Sequence, residues 1–547
     1  MNSRYIKHIV PAAALLLTVG LNSCTKDLDV TPIDPSTTMQ VDEVGLYTKC
    51  YANMALAGNT GADGDCDIDR LDGGTTGFVR QLWNANELTT DEAICAWGDP
   101  GIPQFNFNQY DASHPMLEGF YYRLYGGINY CNHYLEVCKG VDATREAEVR
   151  FLRALYYYHL MDCYGNVPFS TAVSTESPKP IERAELFKWI ETELKEVVGS
   201  MLTPAARKSS DNGYGRADQD AANLLLARMY LNAQVYTGTA RWEEAKTYAE
   251  KVINGPHKLW EGYTVDGKKH RSENGKWSAY QMLFMGDNGE SGASQEAILP
   301  LYQDGITTTS WGTSLFLMAS CWKADMDTDK DYGTDQYWAG NRARSQFIAK
   351  FFPNNDAPKA NISDMAKAAG DDRALFFGKG RDLVVEKATE YTSGYAVGKF
   401  RNTYSNGGNP HNSKFVDTDY FLMRSAEAYL IAAEADARLN GGKTTTTGKG
   451  YIDALRQRAN NNDLKDFYTL DQILDERARE LYHEGFRRTD LIRYGYYGGD
   501  KSGEYLWDWK GGIKNGQAIA AYLNVFAIPA EDVNSNPNLK GHQNPGY

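Results

Sequence analysis

Residues Glu146–Phe169 read EAEVRFLRALYYYHLMDCYGNVPF, and this stretch decides the fold. Large side chains recur along it at helical spacing, in two adjacent stripes made of Phe151, Leu155 and Tyr158 and of Leu152, Tyr156 and His159. A helix that is apolar around most of its circumference is buried between other helices. Gly165 and Pro168 end it, because neither residue continues a helix well. The pattern predicts a core helix of an α-helical scaffold, in which Arg150 and Arg153 snorkel or find carboxylates.

Further helices are predicted on both sides of this one. Apolar spacing gives the core helix the bounds 143–164 and places the others at residues 41–57, 116–137, 181–201, 218–235, 242–253, 421–440, 450–459 and 470–494, with shorter pieces at 341–352 and 364–369. Small residues alternate with larger ones where paired helices would meet, which resembles tetratricopeptide repeats, although the pairs lack a clean period of about 34 residues. We therefore expect a mainly α protein built on a helical-hairpin, tetratricopeptide-like scaffold.

Residues 255–418 differ from this scaffold in composition. They are rich in Gly, Asp, Asn and Thr, and they hold five of the 11 Trp, namely Trp260, Trp277, Trp311, Trp322 and Trp338. Binding residues favour loops that a rigid scaffold holds in place. We expect residues 41–547 to form a single domain, in which scaffold segments at about 41–254 and 419–500 carry a large loop-rich insertion that forms the binding region.

The composition excludes several functions. The net charge of −14 argues against a surface for nucleic acid or for an anionic membrane. The 36 Tyr and the aromatic share of 12% exceed what a core needs, so some aromatic side chains are expected to line a surface site. Besides Cys24 the chain has an odd number of Cys and no CxxC pair, so the pattern indicates neither a zinc site nor a disulfide framework.

The N-terminus is typical of an exported lipoprotein. Arg4 and Lys7 precede an apolar run, Ile9–Leu21, which is too short to span a bilayer and is built like the hydrophobic part of a signal peptide. The run ends in LNSC, which resembles a bacterial lipobox with Cys24 as the acylated residue. Residues 1–23 are then the signal peptide, residues 24–40 are an extended tether, and the lipid is the membrane anchor. The alternative is ordinary secretory cleavage nearby, with Cys24 an incidental thiol.

Enzyme signatures are incomplete in this chain. The segment Gly442–Gly450 resembles a phosphate-binding loop, but its glycines are too far apart and Gly450 stands where Ser or Thr should hold Mg²⁺. His483–Arg487 lacks the second His of a zinc-binding helix, and no GxSxG nucleophile motif occurs. Nothing points to the opposed carboxylates of a glycosidase, although 71 acidic residues leave such a pair open. The charged residues between 476 and 493 are expected to form a structural ion-pair network rather than an anion site.

Three blocks of the sequence resemble the SusD/RagB family, which are surface glycan-binding lipoproteins of Bacteroidetes. The blocks are Arg150–Phe169, Ala366–Phe377 (AKAAGDDRALFF) and Asp475–Gly495 (DERARELYHEGFRRTDLIRYG). They occur in the order that the family has them, and the likeness runs almost end to end. It is strongest to a starch-binding member, and it implies a scaffold of four repeat-like helix pairs.

The resemblance implies a function without catalysis. We expect the protein to capture starch or another α-glucan, including maltooligosaccharides, at the outer cell surface, lipid-anchored to the outer membrane through Cys24. The implied partner is a SusC-like TonB-dependent β-barrel transporter, to which the bound oligosaccharide is delivered. Two alternatives stay open. One is a different glycan or a peptide on the same scaffold, and the other is a surface glycoside hydrolase with an unrecognised carboxylate pair.

The resemblance also implies binding residues. Trp97, Trp311 and Trp338 match three aromatic positions that stack on sugar rings, with Trp311 standing where the starch-binding relative has Tyr. Arg80 matches a hydroxyl-binding Arg, and Asp99 is a substitute contact in a turn that is one residue shorter than the relative's. Flat aromatic rings pack against the C–H faces of sugars, while Arg and Asp hydrogen-bond to hydroxyls. The alternative for each Trp is burial under a loop.

Such binding requires no cofactor. Asp287, Asp417 and Asp419 resemble positions near a structural Ca²⁺ in the starch-binding relative, so these carboxylates are the expected ligands if a metal is bound. The acidic run from Asp325 to Asp331 is not an EF-hand loop, because Lys330 stands where Gly belongs.

Overall fold

The computed structural model describes residues 41–64, 66–69 and 71–547. The predicted signal peptide, the predicted tether and Cys24 lie outside the described residues. The chain divides into two units, Met1–Leu46, of which residues 41–46 are described, and Tyr47–Tyr547. Within the described ranges, no helix is both long enough and apolar enough to cross a bilayer.

Helices make up most of the regular structure. In chain order they are α1 (Glu43–Ala55), α2 (Gly73–Thr76), α3 (Phe78–Trp83), α4 (Ile102–Asn106), α5 (Pro115–Val137), α6 (Ala143–Tyr164), α7 (Arg183–Val197), α8 (Gln219–Leu231), α9 (Ala233–Thr237), α10 (Trp242–Asn254), α11 (Ala279–Met282), α12 (Ser314–Ala319), α13 (Ser345–Ile348), α14 (Ile362–Ala369), α15 (Ser425–Leu439), α16 (Thr446–Arg458), α17 (Leu470–Leu481), α18 (Arg487–Tyr494) and α19 (Ala530–Ser535). The mainly α class predicted from the sequence is confirmed.

The strands are short and pair two at a time. They are β1 (Ala93–Cys95), β2 (Val167–Pro168), β3 (Pro180–Ile181), β4 (Tyr263–Val265), β5 (Lys268–Arg271), β6 (Ala297–Leu301), β7 (Asn341–Ala343), β8 (Phe376–Phe377), β9 (Ala396–Val397) and β10 (Tyr420–Arg424). The antiparallel pairs are β1 with β7, β2 with β3, β4 with β5, β6 with β10 and β8 with β9. Pairs this small fix loops rather than form a layer of their own.

Helix α6 is the predicted core helix. Every residue from Phe151 to Tyr164 is buried, and the helix packs against α5 on one side and α7 on the other. Gly165 follows its last turn with a φ of 70°, a conformation that glycine adopts without strain. Arg150 and Arg153 both donate hydrogen bonds to Glu193 of α7. The predicted bounds and the predicted carboxylate partners of this helix are therefore confirmed.

Helices α8, α10 and α15 pack closely beside one another. The buried face of α15 is lined by alanine, at Ala426, Ala428, Ala432, Ala433, Ala435 and Ala437. Small side chains let neighbouring helix backbones approach, and α15 also packs against α16 and α17. This arrangement agrees with the tetratricopeptide-like scaffold that the sequence predicts.

Several predicted helices have different bounds in the structure, and three of them differ most. The segment 421–440 begins as strand β10, because it pairs with β6, and the segment 341–352 begins as β7, because it pairs with β1. The segment 470–494 breaks between α17 and α18, where His483 and Gly485 have φ values of 60° and 85°. The prediction of continuous helices was wrong at these places. For the two segments that begin as strands, the reason is that a short apolar run does not distinguish a buried strand from a helix.

Two buried acids from a distant segment hold the break between α17 and α18. Glu87 accepts hydrogen bonds from the backbone N–H groups of Gly485 and Phe486, at 2.6 and 3.1 Å. Glu92 accepts one from the backbone N–H of His483 at 3.2 Å. These three N–H groups have no hydrogen bonds within a helix, and the carboxyl groups accept from them instead. The same bonds join the segment before β1 to the helical scaffold.

Glu87 and Glu92 differ in protonation from the neighbouring Asp91. Burial raises the pKa of Glu92 to about 7, and burial together with the charge of Glu92 holds the pKa of Glu87 well above its usual range. Ionising two neighbouring buried carboxyl groups together is unfavourable, so the pair keeps a proton at pH values where a free Glu is ionised. Asp91 is also buried, but the charge and the hydrogen bonds of Arg487 outweigh burial and lower the pKa of Asp91 to about 2.

A second buried network surrounds α17. Arg373, Arg424 and Arg458 contact the carboxylate of Glu480 at 3.2, 2.8 and 2.5 Å. The other arginines of this region pair as Arg477 with Asp490, Arg479 with Glu476, Arg488 with Asp162 and Arg493 with Glu434. The structural ion-pair network predicted from the sequence is confirmed, and several of its acids come from distant segments.

Replacing Glu480 by Ala leaves three buried guanidinium groups without this carboxylate. Removing one partner of a buried ion pair costs about 3–5 kcal/mol, so the free energy of unfolding measured by urea denaturation should fall by about that amount. Glu504→Ala, at an exposed position, is the control, and it should change the free energy by less than about 0.5 kcal/mol. Equal effects of the two substitutions would contradict a structural role for Glu480.

Glu92→Gln tests the buried carboxyl pair. A carboxyl group whose pKa is raised by folding stabilises the folded state at low pH, and this stabilisation is lost as the pH rises through the folded pKa. For Glu92 the loss falls between the ordinary value of 4.5 and about 7. The Gln variant can still hydrogen-bond but cannot ionise, so its free energy of unfolding should fall less over this range. Urea denaturation at several pH values measures the difference, and equal slopes would refute it.

Candidate binding site

The pairing of β1 with β7 brings Trp97 and Trp338 together. The strands are antiparallel, and the N–H of Ala96 donates to the carbonyl of Gly340 at 2.9 Å. Trp97 follows the end of β1 and Trp338 precedes the start of β7, and these two ends are adjacent in the antiparallel pair. Their ring centroids lie 6.4 Å apart with the ring planes tilted by 50°, and Nε1 of Trp97 donates to the backbone carbonyl of Trp338 at 3.2 Å.

Trp311 reaches the same place from the loop between β6 and α12. Its ring centroid is 6.0 Å from that of Trp338, with the planes tilted by 45°, and its Nε1 donates to Asp63 at 2.8 Å. The backbone N–H of Arg80 in α3 donates to the carbonyl of Gly312 at 3.0 Å, which seats this loop on the helix. A Cβ at Gly312 would lie 2.6 Å from a backbone carbonyl oxygen, so the close approach requires glycine.

Trp97, Trp338 and Trp311, in this spatial order, form a row that we call the tryptophan arc. All three side chains are half-buried, so each indole keeps some exposed surface while its neighbours hold it in place. Successive rings are tilted by 50° and 45°, which suits a ligand that turns along its length better than a flat one. The structure brings together the three Trp that the sequence reasoning named, and none of them is sealed under a loop.

Gly340 gives Trp97 its position. A Cβ on this residue would lie 2.2 Å from Cε2 of the indole, so the ring rests on a bare Cα. The φ of Gly340 is not positive. Glycine is therefore required here for the contact rather than for its backbone conformation.

Arg80 lies beside the arc. Its guanidinium carbon is 5.7 Å from the ring centroid of Trp97 and 5.0 Å from that of Phe316. The side chain is buried, and within the described part of the chain its Nε has no hydrogen-bond partner. Burial lowers the pKa of Arg80 while the charges of Asp72 and Asp99 raise it, so the exposed Asp99 lies within electrostatic reach. Arg80 therefore places a guanidinium group beside the ring of Trp97.

The sequence reasoning missed the segment that packs against Trp311. Nζ of Lys414 lies 4.5 Å from the centroid of the indole, and Phe415 packs at 5.0 Å between ring centroids. The N–H of Asp335 donates to the carbonyl of Ser413 at 2.8 Å, which ties this segment to the loop before Trp338. No local signal marks Lys414, because a lysine next to an aromatic residue is common on any surface.

Two buried arginines hold the loops under the arc. Arg342 donates to the carbonyls of Ile94, Gly340, Lys387, Ala388 and Ser393. Arg344 donates to the carbonyls of Leu88, Ala93, Asn106 and Asp508. Burial lowers the pKa of Arg342 to about 10 and that of Arg344 to about 9. Both groups are still charged at neutral pH, and they supply donors to loop carbonyls that have no strand beside them.

The structure does not gather the three predicted metal ligands into a cluster. Asp287, Asp417 and Asp419 each accept hydrogen bonds from backbone N–H and hydroxyl groups of the protein. Burial also raises the pKa of Asp419 to about 7. No three His, Cys, Asp or Glu side chains in the described ranges are placed to hold a metal ion together. A calcium ion at this place stays a prediction, and it would need backbone or amide oxygens as further ligands.

Known proteins resemble this chain over its whole length. Residues 232–547 match the family model of the SusD family, and residues 77–231 match a family described as starch-binding and associating with the outer membrane. The chain is 37% identical to the starch-binding protein SusD of Bacteroides thetaiotaomicron, with 100% of each protein covered.

Solved structures resemble the fold. A SusD-like protein of Bacteroides fragilis superimposes with a TM-score of 0.67 at 18% identity, covering 95% of this chain and 100% of that one. Surface glycan-binding protein A of B. thetaiotaomicron, in complex with laminarihexaose, has a TM-score of 0.62 at 20% identity and covers 92% and 98%. At these identities the likeness establishes the fold alone.

Gly340→Ala tests how Trp97 is placed. The added Cβ overlaps the indole, so the ring must move, and overpacking of this kind costs about 1–3 kcal/mol. We expect an altered near-UV circular dichroism spectrum and a free energy of unfolding lowered by about that amount. Gly98→Ala is the matched control, since it neighbours Trp97 in sequence and its added Cβ meets no atom within 4 Å. The same spectrum in both variants would show that Gly340 does not position the ring.

Proposed function

Because the chain belongs to the SusD family, as its three sequence blocks predict, we propose that it captures starch and related α-glucans on the tryptophan arc. Proteins of this family bind carbohydrate without catalysis, and this chain is a non-catalytic glycan-binding protein rather than an enzyme. The observation that carries the proposal is the arc, in which three half-buried indoles follow one another at 6.4 and 6.0 Å.

The arc suits the chemistry of an α-glucan. Each glucose ring presents a face of C–H groups, which pack on the flat face or edge of an aromatic ring. A helical α-glucan turns from one glucose to the next, and ring planes tilted by 50° and 45° follow such a turn. Arg80 and Asp99, which lie beside the arc, are the partners that we propose for the hydroxyl groups.

Affinity for a single short oligosaccharide should be low. Stacking on sugars is offset by the cost of removing water from their hydroxyl groups. A polymer that engages several copies of a surface-bound protein compensates through multivalency. This behaviour suits a protein that must retain a polysaccharide and still release its fragments.

The choice of starch over other glycans rests on relatedness. The starch-binding relative is 37% identical over the full length, whereas the protein in complex with laminarihexaose is 20% identical. A different glycan on the same scaffold is therefore the second candidate ligand, and laminarin is the specific one to test.

Location and partner form the second part of the proposal. The lipobox at Cys24 supports a lipid anchor, and the family description of residues 77–231 names association with the outer membrane. We place the protein at the cell surface, where it passes oligosaccharide to a TonB-dependent β-barrel transporter and lies over it as a lid. Binding by stacking requires no cofactor.

A double variant, Trp97→Ala with Trp311→Ala, tests the arc. Removing both outer rings should abolish the retardation of the protein in native gels that contain starch, because no two stacking surfaces are left. Trp242→Ala is the matched control, since Trp242 is also half-buried but begins the scaffold helix α10. Far-UV circular dichroism should be unchanged in all variants. Retardation that survives in the folded double variant would refute the site.

Calorimetric titration with maltoheptaose, laminarihexaose and cellohexaose identifies the ligand. Preferential binding of maltoheptaose supports the proposal, and preferential binding of either other oligosaccharide replaces starch by that glycan. New reducing ends after incubation with maltoheptaose would instead establish a hydrolase.

A further inference from the structure

A cavity of about 540 Å³, separate from the tryptophan arc, lies between β5, the start of α14 and the loop of residues 326–331. None of the residues of the tryptophan arc lines it, and neither do Arg80 and Asp99. Its volume is within the range of pockets that hold small ligands. The proposed function does not use this cavity.

The walls of the cavity are cationic. Five basic side chains line it, namely Lys268, Arg271, Lys276, Lys367 and Arg401, against three acidic ones, Asp329, Asp331 and Asp372. The two half-buried aspartates are already in ion pairs. Asp372 pairs with Arg271 at 3.4 Å, and Asp331 pairs with Arg401 and Lys276 at 2.5 and 3.7 Å. Lys268 and Lys367 are exposed and have no acidic partner among the described residues. A local excess of positive charge is unusual in a chain with a net charge of −14.

One deeper donor is also unsatisfied. Arg401 is 5% exposed, and within the described ranges its Nε has no hydrogen-bond partner. The cavity also contains the first residues of α14, Ile362 and Ser363, where the N–H groups of a helix start favour negative charge. These features act in the same direction as the free lysines, so the site attracts an anion.

The floor of the cavity is apolar. Met326, Ile362 and Leu375 are buried there. Trp277 is only 4% exposed, so little of its ring is available for stacking on a ligand. The aliphatic floor offers contact to C–H groups, and the cationic walls offer contact to a carboxylate.

We propose that this cavity binds an acidic sugar, meaning a pyranose that carries a carboxylate. The ring packs its C–H groups on the apolar floor, and the carboxylate accepts charge-assisted hydrogen bonds from Lys268 and Lys367 at the rim. The protein then recognises two classes of sugar at two places, a neutral glucan on the arc and an acidic unit in the cavity.

Calorimetry or saturation-transfer NMR with glucuronic acid, glucose and inorganic sulfate tests this. Glucuronic acid should bind at least about tenfold more tightly than glucose, a difference of one charge-assisted contact. It should also bind more tightly than sulfate, which has charge but no ring. The double variant Lys268→Met with Lys367→Met keeps the aliphatic stems and should lose the preference for glucuronic acid. Added salt should weaken the binding of wild-type protein.

Two further variants complete the test. Lys323→Met with Lys359→Met removes two exposed lysines outside the cavity and should keep the preference. The arc variant Trp97→Ala with Trp311→Ala should lose starch retardation yet bind glucuronic acid as wild type does, which separates this site from the proposed function. The proposal is overturned if glucuronic acid does not bind, if glucose or sulfate binds as tightly, if the cavity variant keeps the preference, or if the arc variant loses it.

Discussion

Buried loop carbonyls need hydrogen-bond donors, and this requirement governs the binding face of the protein. Strands of two to five residues satisfy few of the backbone groups in this part of the chain. Arg342 and Arg344 supply the missing donors, and each of them bonds to the carbonyls of several separate segments. A guanidinium group carries five N–H donors in one plane, so a single side chain can join segments that no helix or strand connects. Arg342 and Arg344 therefore fix the strands that carry Trp97 and Trp338, while the hydrogen bond from the N–H of Arg80 to the carbonyl of Gly312 holds the loop of Trp311.

Three buried acids join the loops to the helical scaffold, two through backbone N–H groups and one through an arginine. The segment before β1 carries Glu87 and Glu92, which bind the backbone between α17 and α18, and Asp91, which binds Arg487. Trp97 is only five residues beyond Glu92, so a short length of chain connects it to a residue that is bound to the scaffold. An unpaired buried charge is far more costly than a paired one, which makes any other register of this junction unfavourable.

Two surfaces of different chemistry follow from this construction. The arc offers three aromatic rings with Arg80 and Lys414 beside them, and stacking and shape are the interactions that we propose for it. The cavity beside α14 combines an apolar floor with Lys268 and Lys367, which have no acidic partner in the described part of the chain, so we propose electrostatic attraction as well as contact for it. A protein of net charge −14 can hold such a cationic site because ionic strength screens the distant acidic residues while nearby contacts persist.

Local pattern determined the helical scaffold, the bounds of α6 and the ends of several other helices, because apolar side chains repeat at helical spacing whatever packs against them. The resemblance to a known family predicted Trp97, Trp311 and Trp338 as the stacking residues. Only the tertiary structure decided that the rings of Trp97 and Trp338, 241 residues apart in the chain, have centroids 6.4 Å apart. It also decided that Gly340 contacts the ring of Trp97 and that Nζ of Lys414 lies 4.5 Å from the ring centroid of Trp311. No local pattern encodes such contacts, because each depends on strand register and loop closure between segments that meet only after the whole chain has folded.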